Sequence, residues 1–165
     1  SLFKMKNPKS GSSIPSLSLA EDKHVAVIAS LFNEKITAKL VDRCQDTLVE
    51  FGVLIEHIDV YWVPGAWELP QTSLKVASLY PYDSVITLGC VIRGETAHFD
   101  HISNEASQGL GAVARMLDSP LLFGVLTTDT YEQALARASR EGHDKGREIA
   151  LSAIHMMALY DDMED

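Results

Sequence analysis

Two arrangements of apolar residues alternate along the chain: short continuous runs, and segments in which apolar residues recur at helical spacing. Short apolar runs rich in β-branched residues are typical of buried strands, and they occur at 24–30, 53–63, 84–90 and 121–127. Between these runs, apolar residues recur every three or four positions, which is typical of amphipathic helices. Those segments cover 36–51, 68–79, 101–117, 130–139 and 145–159. Strands that alternate with helices predict βαβ units and a parallel four-stranded sheet covered on both faces.

The segment 36–51 shows the helical period most clearly. Its charged residues lie away from a single apolar stripe, which consists of Ile36, Leu40, Cys44 and Leu48. Gly52 follows at the position where such a helix is expected to end. Because a helix with one apolar stripe must bury that stripe, the pattern predicts a helix that packs against the sheet.

Length and composition predict the domain organisation. The chain has 165 residues, of which 46% are hydrophobic and 22% are charged, and this is ordinary usage for one globular domain. Residues 1–20 carry Ser, Pro, Lys and Gly without an apolar period, so we expect a flexible N-terminal arm there and one domain over 21–165. No signal-peptide pattern occurs in 1–20, and no apolar run approaches the roughly 20 residues of a membrane span.

Net charge and cysteine content narrow the classes of function. The formal net charge of −9 argues against nucleic-acid binding and against docking on an anionic membrane, because their phosphates would repel the chain. The two cysteines, Cys44 and Cys90, form no C-x-x-C motif, so a disulfide framework, a redox motif and a zinc motif lack support. Free cysteines are typical of a reducing compartment, and we expect the cytoplasm.

The ends of the predicted strands carry the residues that can do chemistry. Ligands of open α/β sheets bind beyond the carboxyl ends of the strands. Four segments follow those ends and would bring aromatic rings, a carboxylate, hydroxyls and one histidine together: 30–33, 63–68, 89–100 and 127–130. No G-x-G-x-x-G turn follows the first strand and no P-loop occurs, so a dinucleotide fold and a P-loop nucleotide site are not expected. A phosphate-accepting receiver domain would need acidic residues where Ala29-Ser30 and Gly89-Cys90 stand.

Residue type alone leaves the individual roles open. By residue type alone, Phe32 is more typical of a core or edge aromatic than of a binding residue, and Arg137 is more typical of a solvated helix face. A glutamate at a helix start, such as Glu68, is often only a partner of the helix dipole. Imidazole groups exchange protons near neutral pH, which makes His98 a candidate, although a lone histidine is more often structural. His98 and His101 stand three residues apart, but no third ligand accompanies them, so we expect no metal site.

Three long motifs carry a resemblance to one family. In chain order they read VPGAWELP at 63–70, LGCVIRGETAHFD at 88–100 and FGVLTTDTYEQA at 123–134, followed by Arg137-Ala138 and Lys145-Gly146. These segments resemble the 6,7-dimethyl-8-ribityllumazine synthases, and the resemblance runs from about residue 24 to residue 157. Three long motifs in the family's order are far more specific than any single short pattern.

The resemblance implies a fold and a reaction. The implied fold is a flavodoxin-like three-layer αβα sandwich with a central parallel four-stranded sheet. The implied reaction condenses 5-amino-6-(D-ribitylamino)uracil with L-3,4-dihydroxy-2-butanone 4-phosphate to 6,7-dimethyl-8-ribityllumazine, with loss of phosphate and water. This is the penultimate step of riboflavin biosynthesis. The nucleophile is the substrate's own amine, and the resemblance implies neither a metal nor a cofactor.

The resemblance also implies contacts with the uracil substrate. Phe32 is expected to stack on the pyrimidine ring, and Glu68 is expected to accept hydrogen bonds from the ribityl hydroxyls. The residues expected to contact the same substrate beside them are Ala66, Trp67, Cys90, Val91 and Ile92. The last three would act through backbone groups, because we expect the chain to leave the third strand there. Trp67 stands where the family more often has Phe or Tyr.

The phosphorylated ketone has its own implied contacts. Glu95 and Thr96 are expected to hold its phosphate, with Arg137 as the matching cation and Lys145 as a further binding residue. Glu95 is expected to act through its backbone, since its carboxylate would repel a phosphate. His98 is the residue expected to transfer protons during imine formation, phosphate loss and ring closure.

Phe123 suggests an oligomer. It lies near the start of the fourth strand, about 13 Å before Thr127 at about 3.3 Å per residue, which is too far from its own chain's carboxyl edge. The resemblance implies that it lines a neighbouring subunit's site in a homo-oligomer built from pentamers. Ser139 and His143-Asp144 depart from the family's usual residues at a turn linked to shell packing, so the size of the assembly stays open. A non-catalytic flavin- or lumazine-binding oligomer of the same fold is the alternative function.

Overall fold

A computed structural model describes residues 22–164 of the chain. The arm predicted over 1–20 lies outside the described residues. Four strands alternate with helices as the apolar pattern predicts: β1 Val25–Ser30, β2 Ile58–Val63, β3 Ser84–Ile92 and β4 Leu121–Thr128. The helices are α1 Glu34–Glu50, α2 Leu69–Leu79, α3 Phe99–Met116, α4 Tyr131–Ala138 and α5 Lys145–Glu164.

All strand pairs are parallel, and the strand order across the sheet is β2-β1-β3-β4. Alternate residues of β1 point to opposite faces, so that Val27 joins one apolar cluster and Ile28 the other. The first cluster buries residues of α1, α4 and α5 against the sheet, and the second buries residues of α2 and α3. The predicted flavodoxin-like αβα sandwich with a central parallel sheet is therefore confirmed.

Two glycines allow α5 to pack closely against its neighbours. A Cβ atom at Gly146 would lie 2.5 Å from the carbonyl oxygen of Leu40 in α1. A Cβ atom at Gly124 in β4 would lie 2.6 Å from both the Cδ1 atom of Ile149 and the carbonyl oxygen of Thr87. A side chain at Gly146 would push α5 away from α1, and one at Gly124 would clash with the backbone of β3 as well as with Ile149 of α5.

Several element boundaries differ from the predicted ones. β2 begins at Ile58 rather than at residue 53, and residues Ile55–His57 form a single turn of 3₁₀ helix. Pairing explains the difference: β1 begins at Val25, which pairs with Ile58, so earlier residues have no partner in β1. At the other end of the chain, α5 continues to Glu164, beyond the predicted end at residue 159.

β3 and α3 also extend beyond the prediction. β3 continues past Cys90 to Ile92, because β4 still offers it a partner as far as Thr128. α3 begins at Phe99 rather than at residue 101, and the Phe99 ring packs against the second apolar cluster. The loop between them is consequently shorter than the sequence suggests. Among the described residues, no helix is long and apolar enough to cross a membrane.

Candidate active site at the carboxyl edge of the sheet

Backbone hydrogen bonds continue beyond the ends of β1 and β2. The Leu31 amide donates to the Val63 carbonyl at 2.7 Å, and the Phe32 amide donates to the Pro64 carbonyl at 3.0 Å. These bonds hold Phe32 beside the turn that follows β2. The Phe32 side chain is 53% exposed, so one face of its ring is accessible at this edge.

The turn after β2 presents residues 66–68 next to Phe32. Ala66–Glu68 form one turn of 3₁₀ helix that leads directly into α2. Ala66 is buried, whereas the Trp67 side chain is 51% exposed. The Oε1 atom of Glu68 lies 3.4 Å from the position of a Cβ atom at Gly65, so this carboxylate folds back over the turn. The first turn of a helix is a favourable place for a carboxylate because of the helix dipole.

Cys90, Val91 and Ile92 remain in β3, so the prediction that they leave the strand is wrong. They pair with β4 only, since the pairing of β3 with β1 ends at Leu88. All three side chains are buried. The Cys90 carbonyl accepts a hydrogen bond from the side-chain Nδ2 atom of Asn33 at 3.1 Å. The Ile92 carbonyl accepts one from the backbone amide of Glu95 at 3.3 Å. Both carbonyls therefore already have a partner within the chain, which the sequence reasoning did not anticipate.

Asn33 is a residue that the sequence reasoning missed. It precedes α1 with φ of 62° and ψ of 44°, in the left-handed region that asparagine tolerates better than most residues. Its side chain reaches from the end of β1 to Cys90 and so links two strand ends. An asparagine directly before a helix was the available signal.

The loop 93–98 between β3 and α3 carries three predicted site residues. Gly94 has φ of +91°, and no atom lies within 4 Å of a Cβ atom placed there, so the backbone is open to solvent on that side. The His98 amide donates to the Thr96 hydroxyl oxygen at 3.1 Å, and His98 is the residue that precedes α3. The Glu95 and His98 side chains are exposed, whereas Thr96 is half-buried.

Arg93 links this loop to two other elements. Its backbone amide donates to the Thr128 carbonyl at 2.8 Å, and its Nε atom donates to an Asp129 carboxylate oxygen at 3.1 Å. Its Nη1 atom lies 3.9 Å from an Asp100 carboxylate oxygen, and its guanidinium lies 4.5 Å from the centre of the Phe99 ring. The sequence reasoning gave Arg93 no role.

The residues after β4 bring Arg137 to the same edge. Thr130 and Gln133 form a reciprocal capping box that fixes the start of α4. Arg137, in the last turn of α4, donates from Nη1 to the Thr127 carbonyl at 3.3 Å. Its guanidinium is exposed and therefore has further N–H groups for a ligand.

Lys145 and Phe123 lie away from the edge within one chain. Lys145 begins α5 and pairs with Glu148 at 3.0 Å. Its neighbour Gly146 packs against Leu40 of α1. Leu40 lies six residues after Glu34, where α1 begins at the carboxyl edge, which is about 9 Å at about 1.5 Å per residue. The structure therefore does not bring Lys145 together with Phe32 and Glu68 in a single chain.

Phe123 pairs with Thr87, five residues before β3 ends at Ile92, or about 16 Å at about 3.3 Å per residue. Its side chain is 48% exposed and borders a cavity of about 180 Å³ beside Leu110 and Ala114 of α3. The prediction that Phe123 lines a neighbouring subunit's site stays a prediction.

Burial changes the chemistry of the one thiol at this edge. Burial is the larger cause and the nearby Glu95 carboxylate the smaller one, and together they raise the pKa of Cys90 to about 12. A thiol with so high a pKa is protonated near neutral pH and is therefore a poor nucleophile. The rings of His98 and His101 lie 6.3 Å apart, and residues 22–164 contain no group of three or more His, Cys, Asp or Glu side chains arranged to hold a metal.

Fold and site together define a class of protein. A parallel sheet between two helical layers, with aromatic, carboxylate, imidazole and guanidinium groups at its carboxyl edge, is typical of an α/β protein that binds small molecules there. The family model described as 6,7-dimethyl-8-ribityllumazine synthase matches residues 22–161. The chain belongs to this family, which consists of transferases of riboflavin biosynthesis. The family resemblance seen in the sequence motifs is thereby confirmed.

Proposed function

We propose that this chain condenses 5-amino-6-(D-ribitylamino)uracil with L-3,4-dihydroxy-2-butanone 4-phosphate to 6,7-dimethyl-8-ribityllumazine, with loss of phosphate and water. One observation carries the proposal: Phe32, Glu68, His98 and Arg137 all stand at one edge of the sheet, although they come from four different strand ends. Hydrogen bonds between those ends hold the backbone there in a fixed frame. Such a frame aligns two substrates, and alignment supplies much of the rate of a condensation.

The uracil substrate would lie between β1 and β2. The exposed face of the Phe32 ring suits a flat heterocycle. The Glu68 carboxylate would accept hydrogen bonds from ribityl hydroxyls, and charged acceptors make such bonds stronger. Ala66 and Trp67 precede Glu68 in the chain and would contact the same substrate. Cys90, Val91 and Ile92 would lie beneath its ring. Because the side chains of these last three are buried, any polar contact from them comes from the backbone.

The phosphate of the ketone would lie over the loop 93–98. The Thr96 hydroxyl oxygen accepts from the His98 amide, which leaves the hydroxyl proton free to donate to a phosphate oxygen. The Glu95 amide would contribute as well, by exchanging its 3.3 Å bond to the Ile92 carbonyl for one to the phosphate, near the start of α3, where the helix dipole favours an anion. Arg137 would neutralise part of the phosphate charge. This local site would have to overcome a net chain charge of −9.

His98 would move protons during the reaction. The uracil's amine attacks the ketone carbonyl, and water leaves as the imine forms. Elimination of phosphate leaves an enol, which takes up a proton on carbon and becomes a new ketone. The second amine of the uracil attacks this ketone and closes the ring with loss of water. Each step transfers a proton to or from oxygen, nitrogen or carbon, and an imidazole can serve as both acid and base. His98 precedes α3 at the edge, and its exposed ring is free to reach a substrate held there.

The proposed assembly is a homo-oligomer built from pentamers with sites at the subunit interfaces. Phe123 supports this, because it is half-exposed and stands about 16 Å before the end of the neighbouring strand β3. In the assembly Phe123 would line a neighbouring subunit's pocket, and Lys145 would add a positive charge to a phosphate site. The family itself implies small-molecule substrates.

The experiment that tests the proposed function mixes both substrates with the purified protein and follows the fluorescent lumazine. Product should form faster than in the spontaneous reaction. His98→Ala should lower kcat by about ten- to a hundredfold, at the low end of what general acid–base catalysis supplies, because both substrates still align. His101→Ala, one turn further along α3, is the matched control and should keep kcat within about twofold.

One outcome would contradict the proposed reaction, and another would contradict only the role of His98. Product formation at the spontaneous rate, together with tight binding of lumazine or riboflavin, would favour a non-catalytic binding oligomer. A wild-type rate in His98→Ala, with activity otherwise present, would remove His98 from the mechanism while leaving the reaction in place.

A further inference from the structure

The loop 93–98 has few internal contacts to hold its shape. Gly94 adopts a positive φ with no neighbouring atom on its Cβ side, and the side chains of Glu95, Ala97 and His98 are exposed. The described hydrogen bonds of residues 94–98 are short-range: from the Glu95 amide to Ile92, from the His98 amide to Thr96, and from the Ile102 amide to the His98 carbonyl at 2.9 Å. Residues 94–98 therefore lack a hydrogen bond to any distant element within the described part of the chain.

Arg93 supplies contacts at both ends of that loop. At the first end, its backbone amide bonds to Thr128, the last residue of β4, and its Nε atom bonds to Asp129, which follows β4. At the second end, its guanidinium lies over the Phe99 ring at 4.5 Å and beside the Asp100 carboxylate at 3.9 Å. One side chain thus spans from the end of β4 to the first turn of α3 and closes the loop between them.

The partner of Arg93 is itself fixed in place. The Asp129 amide donates to the Gln133 side-chain oxygen at 2.9 Å, and Gln133 belongs to the capping box of α4. The same helix carries Arg137, whose guanidinium bonds to Thr127 at the end of β4. The Arg93–Asp129 pair therefore connects the loop that holds His98 to the helix that holds Arg137.

We propose that Arg93 is a positioning residue for the reaction, acting by holding residues 94–98 in place relative to α4. It touches no reacting atom in this role. Its side chain and those of Asp100 and Asp129 are 58%, 79% and 70% exposed, and exposed ion pairs contribute little to global stability. Loss of the pair should consequently disturb the geometry of the loop far more than the stability of the fold. The kinetic part of this proposal rests on the proposed function.

The central test compares Arg93→Ala with the wild type. kcat/KM should fall by about tenfold, with a higher KM for the phosphorylated ketone and a KM for the uracil substrate within about twofold, since small displacements of aligned groups are costly. The midpoint of thermal unfolding should change by less than about 2 °C. Hydrogen exchange at the amides of residues 94–98 should become faster, while exchange in the sheet stays as it was.

Further variants distinguish the effect of the positive charge of Arg93 from the effect of its contacts with Asp129 and Phe99. Arg93→Lys keeps the positive charge but loses the planar contact with Phe99 and the Nε bond, so it should recover only part of the activity. Asp129→Asn removes the partner's charge with little change in size. If the two residues act as one unit, the double variant Arg93→Ala with Asp129→Asn should lose no more activity than Arg93→Ala alone. Arg115→Ala, in the last turn of α3, is the matched control and should behave as the wild type.

The outcomes also distinguish this proposal from the proposed function. A wild-type protein that makes no lumazine would refute the proposed function, whereas the exchange measurement would still test whether Arg93 orders the loop. Unchanged exchange at 94–98 in Arg93→Ala would overturn the inference. So would a kcat/KM within twofold of the wild type. A fall in activity matched by a large fall in the unfolding midpoint would also overturn it, because the role would then be structural.

Discussion

The two edges of the sheet are built in different ways. At the amino edge, polar side chains from distant elements pair directly: Lys23 lies 2.6 Å from Asp161 of α5, and the Tyr82 hydroxyl lies 2.6 Å from both Asp59 and Tyr61. Lys23 and Tyr82 are both buried. At the carboxyl edge the hydrogen bonds between strand ends come mainly from the backbone, and the side chains of Phe32 and Trp67 are about half exposed.

This difference suggests that the amino edge stabilises the fold and that the carboxyl edge binds the ligand. Buried side chains that bond only within the fold are not accessible to a ligand. At the carboxyl edge the backbone makes many of the bonds between strand ends, and exposed groups such as the Arg137 guanidinium keep N–H groups for a ligand. A cavity of about 490 Å³ lies at the amino edge beside Lys23 and Tyr82, so volume alone would point to that end. The placement of the family's motif residues points to the carboxyl edge. Changes at the amino edge should therefore affect stability, and changes at the carboxyl edge should affect activity.

The largest expected effect is on the reaction rate of the two thiols with an alkylating reagent. The rate at Cys90 shows whether the open part of the carboxyl edge extends as far as that residue. Burial raises the pKa of Cys44 and Cys90 to about 12. Since only the thiolate reacts, the native protein should react with iodoacetamide about a thousandfold more slowly than the unfolded chain at neutral pH. Mass spectrometry of the alkylated peptides measures this. Rapid labelling of Cys90 in the folded protein would mean that the edge opens to residue 90, below the exposed loop.

Arg137→Ala should weaken one substrate and leave the fold intact. Loss of a charge-assisted hydrogen bond costs about 1.5–3 kcal/mol, so KM for the phosphorylated ketone should rise by about 10- to 150-fold. KM for the uracil substrate and the unfolding midpoint should hardly move, because Arg137 is exposed. Inorganic phosphate should also inhibit the wild type more than the variant. Arg140→Ala, just beyond α4, is the control, and equal weakening of both substrates would contradict a phosphate-specific role.

The sheet and its layers were predictable from the sequence, because each buried strand is a continuous apolar run and each helix has one apolar stripe. The start of β2 was not, since Val53 is apolar and buried yet lies outside the strand. Only the position of β1 decides where pairing begins, and that is a property of the neighbouring strand. The end of β3 was misplaced for the same reason, because β4 extends it.

The candidate site was predictable as a set of motif residues but not as a network. Phe32, Glu68 and His98 could be placed at strand ends by counting from the predicted elements. The bonds of Asn33 to Cys90 and of Arg93 to Asp129 join residues more than 30 positions apart, so no local pattern could reveal them. The separation of Phe123 from the edge could be estimated, because it depends only on the rise along one strand.

Phe32 and Phe123 test whether a site at the carboxyl edge is completed by a second chain. Phe32→Ala and Phe123→Ala should each lower kcat/KM by about two- to tenfold, since an aromatic contact contributes about 0.5–1.5 kcal/mol beyond its buried area. When the two variants are co-assembled, a chain with intact Phe32 can meet a neighbour with intact Phe123. Random mixing restores about one interface in four, because ring contacts have a direction. Specific activity of the refolded mixture should then exceed that of either variant.

The matched control for co-assembly is a mixture of Phe32→Ala with Phe32→Ala, refolded in the same way. If both residues served the pocket of one chain, every chain in the mixed assembly would lack one of them and no activity would return. That result, with hetero-oligomers confirmed by mass, would contradict a shared site.

The smallest expected effect lies at the amino edge. Burial raises the pKa of Tyr82, and its hydrogen bonds with Asp59 and Tyr61 act in the same direction. Tyr82→Phe removes a hydroxyl that bonds to both partners, which should cost about 1 kcal/mol of unfolding free energy. For a chain of this size the unfolding midpoint should fall by about 2–4 °C at a fixed protein concentration, as measured by calorimetry. kcat/KM should stay at the wild-type value, because the hydrogen-bond partners of this hydroxyl, Asp59 and Tyr61, are not candidate site residues.

The pH dependence of Tyr82→Phe tests the same hydroxyl by a second route. A raised pKa in the folded state means that the neutral hydroxyl stabilises the fold fully below the unfolded pKa of about 10, and that this stabilisation is lost as the pH rises above it. The difference in unfolding free energy between the wild type and Tyr82→Phe should therefore be constant near neutrality and shrink above about pH 10. Tyr80→Phe is the control, because within residues 22–164 its hydroxyl makes no hydrogen bond, although its ring packs edge-to-face with that of Tyr82, with the ring centres 5.0 Å apart. A loss of activity in Tyr82→Phe, at unchanged stability, would contradict the assignment of stability to the amino edge and of activity to the carboxyl edge.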